Sequence, residues 1–195
     1  MRRVVLVLVH CIALAACVST RPALAPAPWE RRLADLQHTS SWQLDGRAAV
    51  ALNTQGWQAS LNWRQHGEAT DVHLAGPLGI GALVLERTPD GLSLNGAPPS
   101  AAVLAQLQDR LGFDLPLGDL RYWLLGVPDP GSAFDLTRND EDRAGQLMQG
   151  GWTIDYERYM PVNGDWLPAR LVLRRDSVRV RIAVDHWAMD HSDGR

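Results

Sequence analysis

Residues 42–63 read WQLDGRAAVALNTQGWQASLNW, and this stretch decides the fold class. Apolar residues alternate with mostly polar ones over residues 42–52, and they alternate again over residues 57–63. A period of two is typical of β-strands, because successive side chains point to opposite faces of a sheet. Residues 53–56 between the two runs have the composition of a hairpin turn. The stretch therefore predicts an antiparallel hairpin with one apolar and one polar face.

The same alternation continues along most of the chain. In its last segment Val178, Val180 and Ile182 face one way, and Arg179 and Arg181 face the other. Further strands are predicted at residues 69–75, 82–87, 91–95, 133–138, 145–149, 152–158, 167–175 and 177–187. So many one-sided strands indicate an antiparallel sheet whose apolar face is covered or lines a cavity.

Three segments have helical spacing of apolar residues instead. They are residues 29–37, residues 101–111, which Gly112 is suited to end, and residues 117–125, which stop before Pro128. No internal repeat and no second domain is found. The order of elements predicts an α+β fold, in which short helices lie on the concave side of a curved antiparallel sheet.

The amino terminus has the pattern of a secretory signal over residues 1–16, a short basic start followed by an apolar run. The run ends in Leu-Ala-Ala before Cys17, which resembles the bacterial lipobox and predicts a lipidated Cys17. The alternative is an ordinary signal peptide with an incidental cysteine. Val18 is not the Asp that retains Gram-negative lipoproteins in the inner membrane, so the outer membrane is expected. Residues 17–28 then form the lipidated cysteine and a flexible tether.

Composition and motifs exclude several function classes. The net charge is -3 and the pI about 6.0, so electrostatic capture of nucleic acid is not expected. All basic residues are Arg, which excludes lysine chemistry, and no histidine pair has the spacing of a metal site. A catalytic Asp185-His186 pair and a paired-carboxylate glycosidase remain open, but nothing favours either. We expect no catalytic residue, no metal and no cofactor.

A basic stretch near the end contains Arg170, Arg174, Arg175, Arg179 and Arg181. The favoured interpretation is the solvated face of an edge hairpin, where charges discourage pairing with other chains. The alternative is contact with anionic lipid or an acidic partner.

Residues 76–81 read GPLGIG and join two predicted strands, although turns usually carry polar tips. Either Leu78 packs into the core and holds the loop in place, as a core staple, or it points outward on a stiff loop and contacts a membrane or a partner.

Taken together, the pieces resemble the LolB family, outer-membrane lipoproteins that receive other lipoproteins from the periplasmic carrier LolA. The resemblance covers residues 29–187, and the sequence motifs that carry it follow the lipobox in the order found in the family. They are WQLDGR at 42–47, LNW at 61–63, GPLG at 76–79, LRYWLLGVP at 120–128, GWTIDY at 151–156, LPARL at 167–171 and DHW at 185–187. Two departures are Gly76, where a polar residue is usual, and the tail at residues 188–195.

The resemblance implies a strongly curved, unclosed β-barrel with a lid of short helices over a hydrophobic cavity. It implies that the single domain at residues 29–187 takes up the acyl chains of triacylated lipoproteins delivered by LolA. It also implies a membrane-insertion loop, with Leu78 as the inserting residue and Pro77, Gly79 and Ile80 around it. Outer-membrane phospholipid is then a further partner, and a monomer is expected.

Tryptophans on the inward strand faces are the candidate cavity lining, although an ordinary packed core would use them equally well. These candidates are Trp42, Trp57, Trp63 and Trp152. Two other functions stay open: a lipocalin-like module that binds a hydrophobic ligand without any insertion role, and a structural lipoprotein whose sheet packs on a partner.

Replacing Cys17 by Ala should detach the protein from the membrane but leave it folded and able to accept cargo in solution, because no residue before Trp29 joins the periodic pattern. Fractionation of the exported variant, a circular dichroism melting curve and a cargo-binding assay check this. The matched control is Cys11→Ala, since Cys11 leaves with the signal. A well-folded Cys17→Ala protein that no longer binds cargo would contradict the expectation.

Overall fold

The computed structural model describes residues 29–77 and 81–190, which form ten strands and three helices. The predicted signal peptide and tether lie outside these residues. The first half contains α1 (Trp29–His38), β1 (Ser41–Leu52), β2 (Gln55–His66), β3 (Ala69–Ala75), β4 (Leu83–Thr88) and β5 (Gly91–Leu94). The second contains α2 (Ala101–Leu111), α3 (Leu117–Leu125), β6 (Phe134–Arg138), β7 (Ala144–Gln149), β8 (Trp152–Val162), β9 (Asp165–Arg175) and β10 (Val178–Met189).

All ten strands form one antiparallel sheet in the order β5-β4-β3-β2-β1-β10-β9-β8-β7-β6. Each half of the chain is therefore a meander of sequential hairpins. The two meanders join where β1 pairs with β10, from Trp42 opposite Met189 to Leu52 opposite Val178. Strands β5 and β6 form the two edges, so the sheet does not close. The predicted α+β fold with an unclosed antiparallel sheet is confirmed.

The apolar faces predicted from the alternation are the buried faces. In β10, for example, Val178, Val180 and Ile182 are buried, while Arg179 and Arg181 are exposed. Helices α2 and α3 have the predicted bounds. Strands β8 and β10 run beyond the predicted segments, to residues 162 and 189.

Local sequence signals set the ends of the two central helices. The Ser100 hydroxyl accepts a hydrogen bond from the Val103 N–H at 3.2 Å and so caps α2 at its start. Gly112 ends α2 in the left-handed conformation, at φ 80°, which glycine adopts without steric cost. Within the described ranges, no helix has both the length and the apolar character needed to cross a membrane.

The arginine-rich hairpin is not at an edge, and this corrects the favoured interpretation of that stretch. Strands β9 and β10 lie in the middle of the sheet, with β1 on one side and β8 on the other. Protection of an edge from pairing therefore does not explain the charges. Arg170, Arg174, Arg179 and Arg181 are exposed, and the register places them on the face opposite the apolar core.

Gly46 lies at a β-bulge in the central pairing of β1 with β10. Asp185 is the extra residue, since the register shifts between Asp45 and Gly46. A Cβ atom on residue 46 would lie 2.3 Å from the Ala183 carbonyl oxygen, closer than any real contact. The bulge bends the sheet at its centre, and only glycine fits there.

We expect Gly46→Ala to lower the free energy of unfolding by roughly 1–3 kcal/mol, because the atom it meets belongs to backbone held in a sheet. Urea unfolding followed by circular dichroism measures this. The control is Gly118→Ala in α3, whose Cβ would meet only the end of the flexible Arg87 side chain, at 3.4 Å. It should be neutral or stabilising, since alanine favours helix over glycine. Unchanged stability of Gly46→Ala would contradict the account.

Candidate functional site

An apolar cavity of about 50 Å³ lies between the inner face of the sheet and the segment that joins α2 to α3. Every residue that lines the cavity is apolar. The sheet contributes residues from strands in both halves of the chain, such as Val50, Leu61, Val72, Leu173 and Ile182. The cavity thus spans the central pairing of β1 with β10.

The helical side of the cavity comes from the end of α2, the linker and α3. Leu111, Phe113, Leu115, Pro116 and Leu120 line it. The Phe113 ring is buried and meets the indole of Trp152 edge-on, at a centroid distance of 5.9 Å. This linker therefore fills the space over the sheet with side chains that make no directional bond to it.

Three of the four candidate tryptophans, Trp57, Trp63 and Trp152, line the cavity. Trp42 lies one layer away, stacked on Trp63 at 6.0 Å between ring centroids and tilted against Trp187 at 5.4 Å. It is 1% exposed and belongs to the packed core.

Trp152 also contributes a buried polar atom. Its indole N–H has no hydrogen-bond acceptor among the residues that the structure describes. The Arg175 guanidinium carbon lies 4.8 Å from its ring centroid. A buried donor without a partner costs about 1–3 kcal/mol.

Helix α3 is tied to the sheet by a buried glutamine. The Gln149 side-chain oxygen accepts from the Trp123 indole N–H at 2.8 Å and from the Asp129 backbone N–H at 2.9 Å. Its amide nitrogen donates to the Asp129 carbonyl at 2.8 Å and to the Ser132 hydroxyl at 2.8 Å. One side chain of β7 therefore makes hydrogen bonds both with α3 and with the loop that follows it.

Two tyrosines of β8 also donate hydrogen bonds, one to α3 and one to β7. The Tyr156 hydroxyl donates to the Trp123 carbonyl at 3.0 Å, and the Tyr159 hydroxyl donates to the Ala144 carbonyl at 2.8 Å. Burial raises the pKa of both phenols above the usual value, so they stay neutral donors. Burial also raises the pKa of the Asp119 carboxyl in the first turn of α3.

The other predicted site residues fall at or beyond the limits of the described chain. Pro77 is exposed just after β3. Leu78, Gly79 and Ile80 lie outside the described residues, and so does Cys17.

In the described part of the chain, Asp185 and His186 do not form the hydrogen-bonded pair considered for catalysis. Asp185 is exposed and accepts a hydrogen bond from Arg47 at 2.8 Å rather than from His186. Over residues 29–77 and 81–190, no group of three or more His, Cys, Asp and Glu side chains is placed to hold a metal ion.

A sheet that does not close, with helices over an apolar cavity, matches the fold that the sequence motifs implied. The family model described as outer membrane lipoprotein LolB matches residues 40–187. The chain belongs to the LolB family. Two proteins named outer-membrane lipoprotein LolB illustrate the likeness. The one from Nitrosococcus oceani is 34% identical over 96% of this chain and 98% of its own, and one from Pseudomonas putida is 34% identical over 91% and 95%.

The fold extends beyond the LolB family. A solved structure of a LolA superfamily protein from Nitrosomonas europaea superposes with a TM-score of 0.54 at 11% identity. The match covers 84% of this chain and 94% of that chain. At this identity the likeness concerns the fold alone.

Sequence reasoning missed the helical wall of the cavity in this LolB-family chain. Phe113 and Leu115 lie between two predicted helices, where neither the helical nor the strand period applies. The available signal was the composition of residues 111–117, LGFDLPL, which is unusually apolar for a connection.

We expect Gln149→Leu to destabilise the protein by roughly 1–3 kcal/mol, since buried donors on Trp123 and Asp129 would lose their acceptor. The same substitution three residues earlier, Gln146→Leu, is the control, because Gln146 is exposed and its side chain donates to Asp155 alone among the described residues. It should stay within about 0.5 kcal/mol of the parent. Urea unfolding of both variants decides, and equal losses would contradict the role of Gln149.

Proposed function

We propose that this protein accepts lipoproteins from the carrier LolA, takes their acyl chains into the apolar cavity and inserts them into the outer membrane. The observation that carries the proposal is the all-apolar cavity under the α2–α3 segment, in a chain of the LolB family. A chain of methylene groups requires only apolar contact.

The cavity must open for this to happen. Its volume of about 50 Å³ has room for only a few water-sized groups, far less than an acyl chain needs. The sheet is held by its ladders of hydrogen bonds, so the helical cover is the side that yields. Cargo would displace Phe113 and Leu115 and take over their contacts with the sheet.

The hydrogen bonds favour α2 as the part that moves. In the described chain α2 makes no hydrogen bond to a strand, whereas α3 is held through Trp123 by Gln149 and Tyr156. Apolar contacts are nondirectional and can be exchanged for contacts with cargo at little net cost. Helix α2 would swing on the linker while α3 stays in place.

The energetics favour direct transfer between proteins. Three acyl chains of ~16 carbons, at ~0.8 kcal/mol per methylene, would cost tens of kcal/mol if exposed to water. The chains must therefore pass from cavity to cavity. Without an energy source at the site, transfer runs downhill from carrier to receptor to bilayer. Binding and release then suffice, and no catalytic group is required.

Position at the membrane would come from two features. Lipidation of Cys17 would anchor the chain to the outer membrane, facing the periplasm, through the tether at residues 18–28. The loop that begins at the exposed Pro77 would place Leu78 in the lipid leaflet and open a path for the acyl chains. A buried leucine gains roughly 1.5–3 kcal/mol, so an outward Leu78 requires an apolar phase to receive it.

The test is Leu78→Glu, measured for melting, receipt of cargo from LolA and incorporation of cargo into membranes. We expect folding and receipt to be unchanged and incorporation to fail, with loaded protein accumulating. The matched control is Leu104→Glu on α2, because Leu104 is already 54% exposed. It should leave all three measurements unchanged.

Other outcomes separate the alternatives. Normal incorporation by Leu78→Glu would exclude the insertion role of the loop. If Leu78 is a core staple, Leu78→Ala should cost about 2–5 kcal/mol of stability, and receipt and incorporation should decline together. Binding of free fatty acid without any receipt from LolA would favour the lipocalin-like alternative.

A further inference from the structure

A second concave feature lies on the opposite face of the sheet. It is an open groove of about 1020 Å³ across the middle strands. Arg47, Arg170 and Arg181 line the groove together with Glu157 and Pro77. The groove therefore contains three guanidinium groups against one carboxylate, in a protein whose net charge is -3.

The strand register connects this groove to the loop after β3. Ala75 pairs with Ser60, Ser60 with Arg47, Arg47 with Ala183, and Ala183 with Arg170. These residues form one row across five neighbouring strands. At about 4.8 Å per strand, Arg47 lies ~10 Å and Arg170 ~19 Å from the residue that leads into the loop.

The arginines of the groove are available for a ligand. Of the residues described, no Asp or Glu oxygen lies within 4.0 Å of the side-chain nitrogens of Arg170 or Arg181. Arg47 contacts Asp185, but both side chains are more than half exposed, so this pair is weak and can exchange partners.

The outer face of the sheet is closely packed next to Arg181. Val172 is fully buried although its register partners, Arg181 and Asp155, lie on the outer face. Neighbouring side chains must therefore close over it, as the apolar stems of arginine do. The Asp155 carboxylate is paired with Arg174, which leaves Arg181 to face the groove.

We propose that this arginine groove binds the phosphates of anionic phospholipid headgroups and so brings the neighbouring loop to the membrane surface. The inference rests on the membrane role proposed above for that loop. A planar guanidinium presents paired donors that match phosphate oxygens, and three of them in one groove suit a surface of phosphates. Because the row of paired residues starts at the base of the loop, headgroup contact in the groove would place the loop at the membrane surface before its leucine inserts.

The test uses the mature chain, residues 17–195, with Cys17→Ala so that no lipid anchor obscures binding. Flotation is measured with vesicles of phosphatidylethanolamine, alone or mixed with phosphatidylglycerol. Phosphatidylglycerol should increase the bound fraction, and salt should reverse the increase. The double variant Arg170→Glu with Arg181→Glu should lower the affinity for the mixed vesicles at least about tenfold.

The matched control is Arg31→Glu with Arg110→Glu, two exposed arginines on helices α1 and α2, which makes the same change in net charge. It should keep most of the binding. Melting curves should show that both double variants remain folded.

Several results would overturn the inference. They are an equal loss in both double variants, no dependence on phosphatidylglycerol, or undiminished vesicle binding by the groove variant. Reduced receipt from LolA with unchanged vesicle binding would instead assign the groove to a protein partner. Leu78→Glu separates this inference from the proposed function, since it should still bind anionic vesicles while failing to incorporate cargo.

Discussion

A ten-strand sheet that does not close has an apolar inner face from β5 to β7, and no second sheet packs on it among the described residues. Water has to be excluded from that face mainly by the segment between the two meanders, which supplies α2, the linker and α3, and at one side by α1. Burial of this face is the main favourable term in the fold, because area removed from water dominates folding energies. The positions of Phe113 and the helices follow from the need to cover it.

The cover combines two kinds of contact. Helix α3 is held by directional hydrogen bonds from Gln149 and Tyr156, whereas α2 and the linker contribute apolar contact. Directional bonds in a dry interior fix one geometry, since an unmade partner is costly. Apolar contacts tolerate replacement by other apolar groups of similar volume. The same structure can thus keep a stable frame and exchange part of its own core for a ligand.

The sequence predicted the strands and the central helices well, because periods of two and 3.6 are local properties of a chain and Gly112 marks a helix end. It did not predict that β1 pairs with β10, since the register between residues far apart depends on the whole sheet. For the same reason the arginine hairpin was placed at an edge. The apolar character of the cavity could be predicted from the sequence, but the set of residues that line it could not. Trp42 shares the strand face of Val50, and only the packing shows that it lies outside the cavity.

The pairing of β1 with β10 has a consequence for how the chain acquires its structure. The centre of the sheet is formed by the first and last strands, so it cannot assemble until the final residues are available. Each meander can form hairpins early, but the two halves unite through the contacts of greatest sequence separation, which form slowly. Before that moment the inner faces near β1 and β9 are exposed, and this is the stage at which the chain is most open to aggregation.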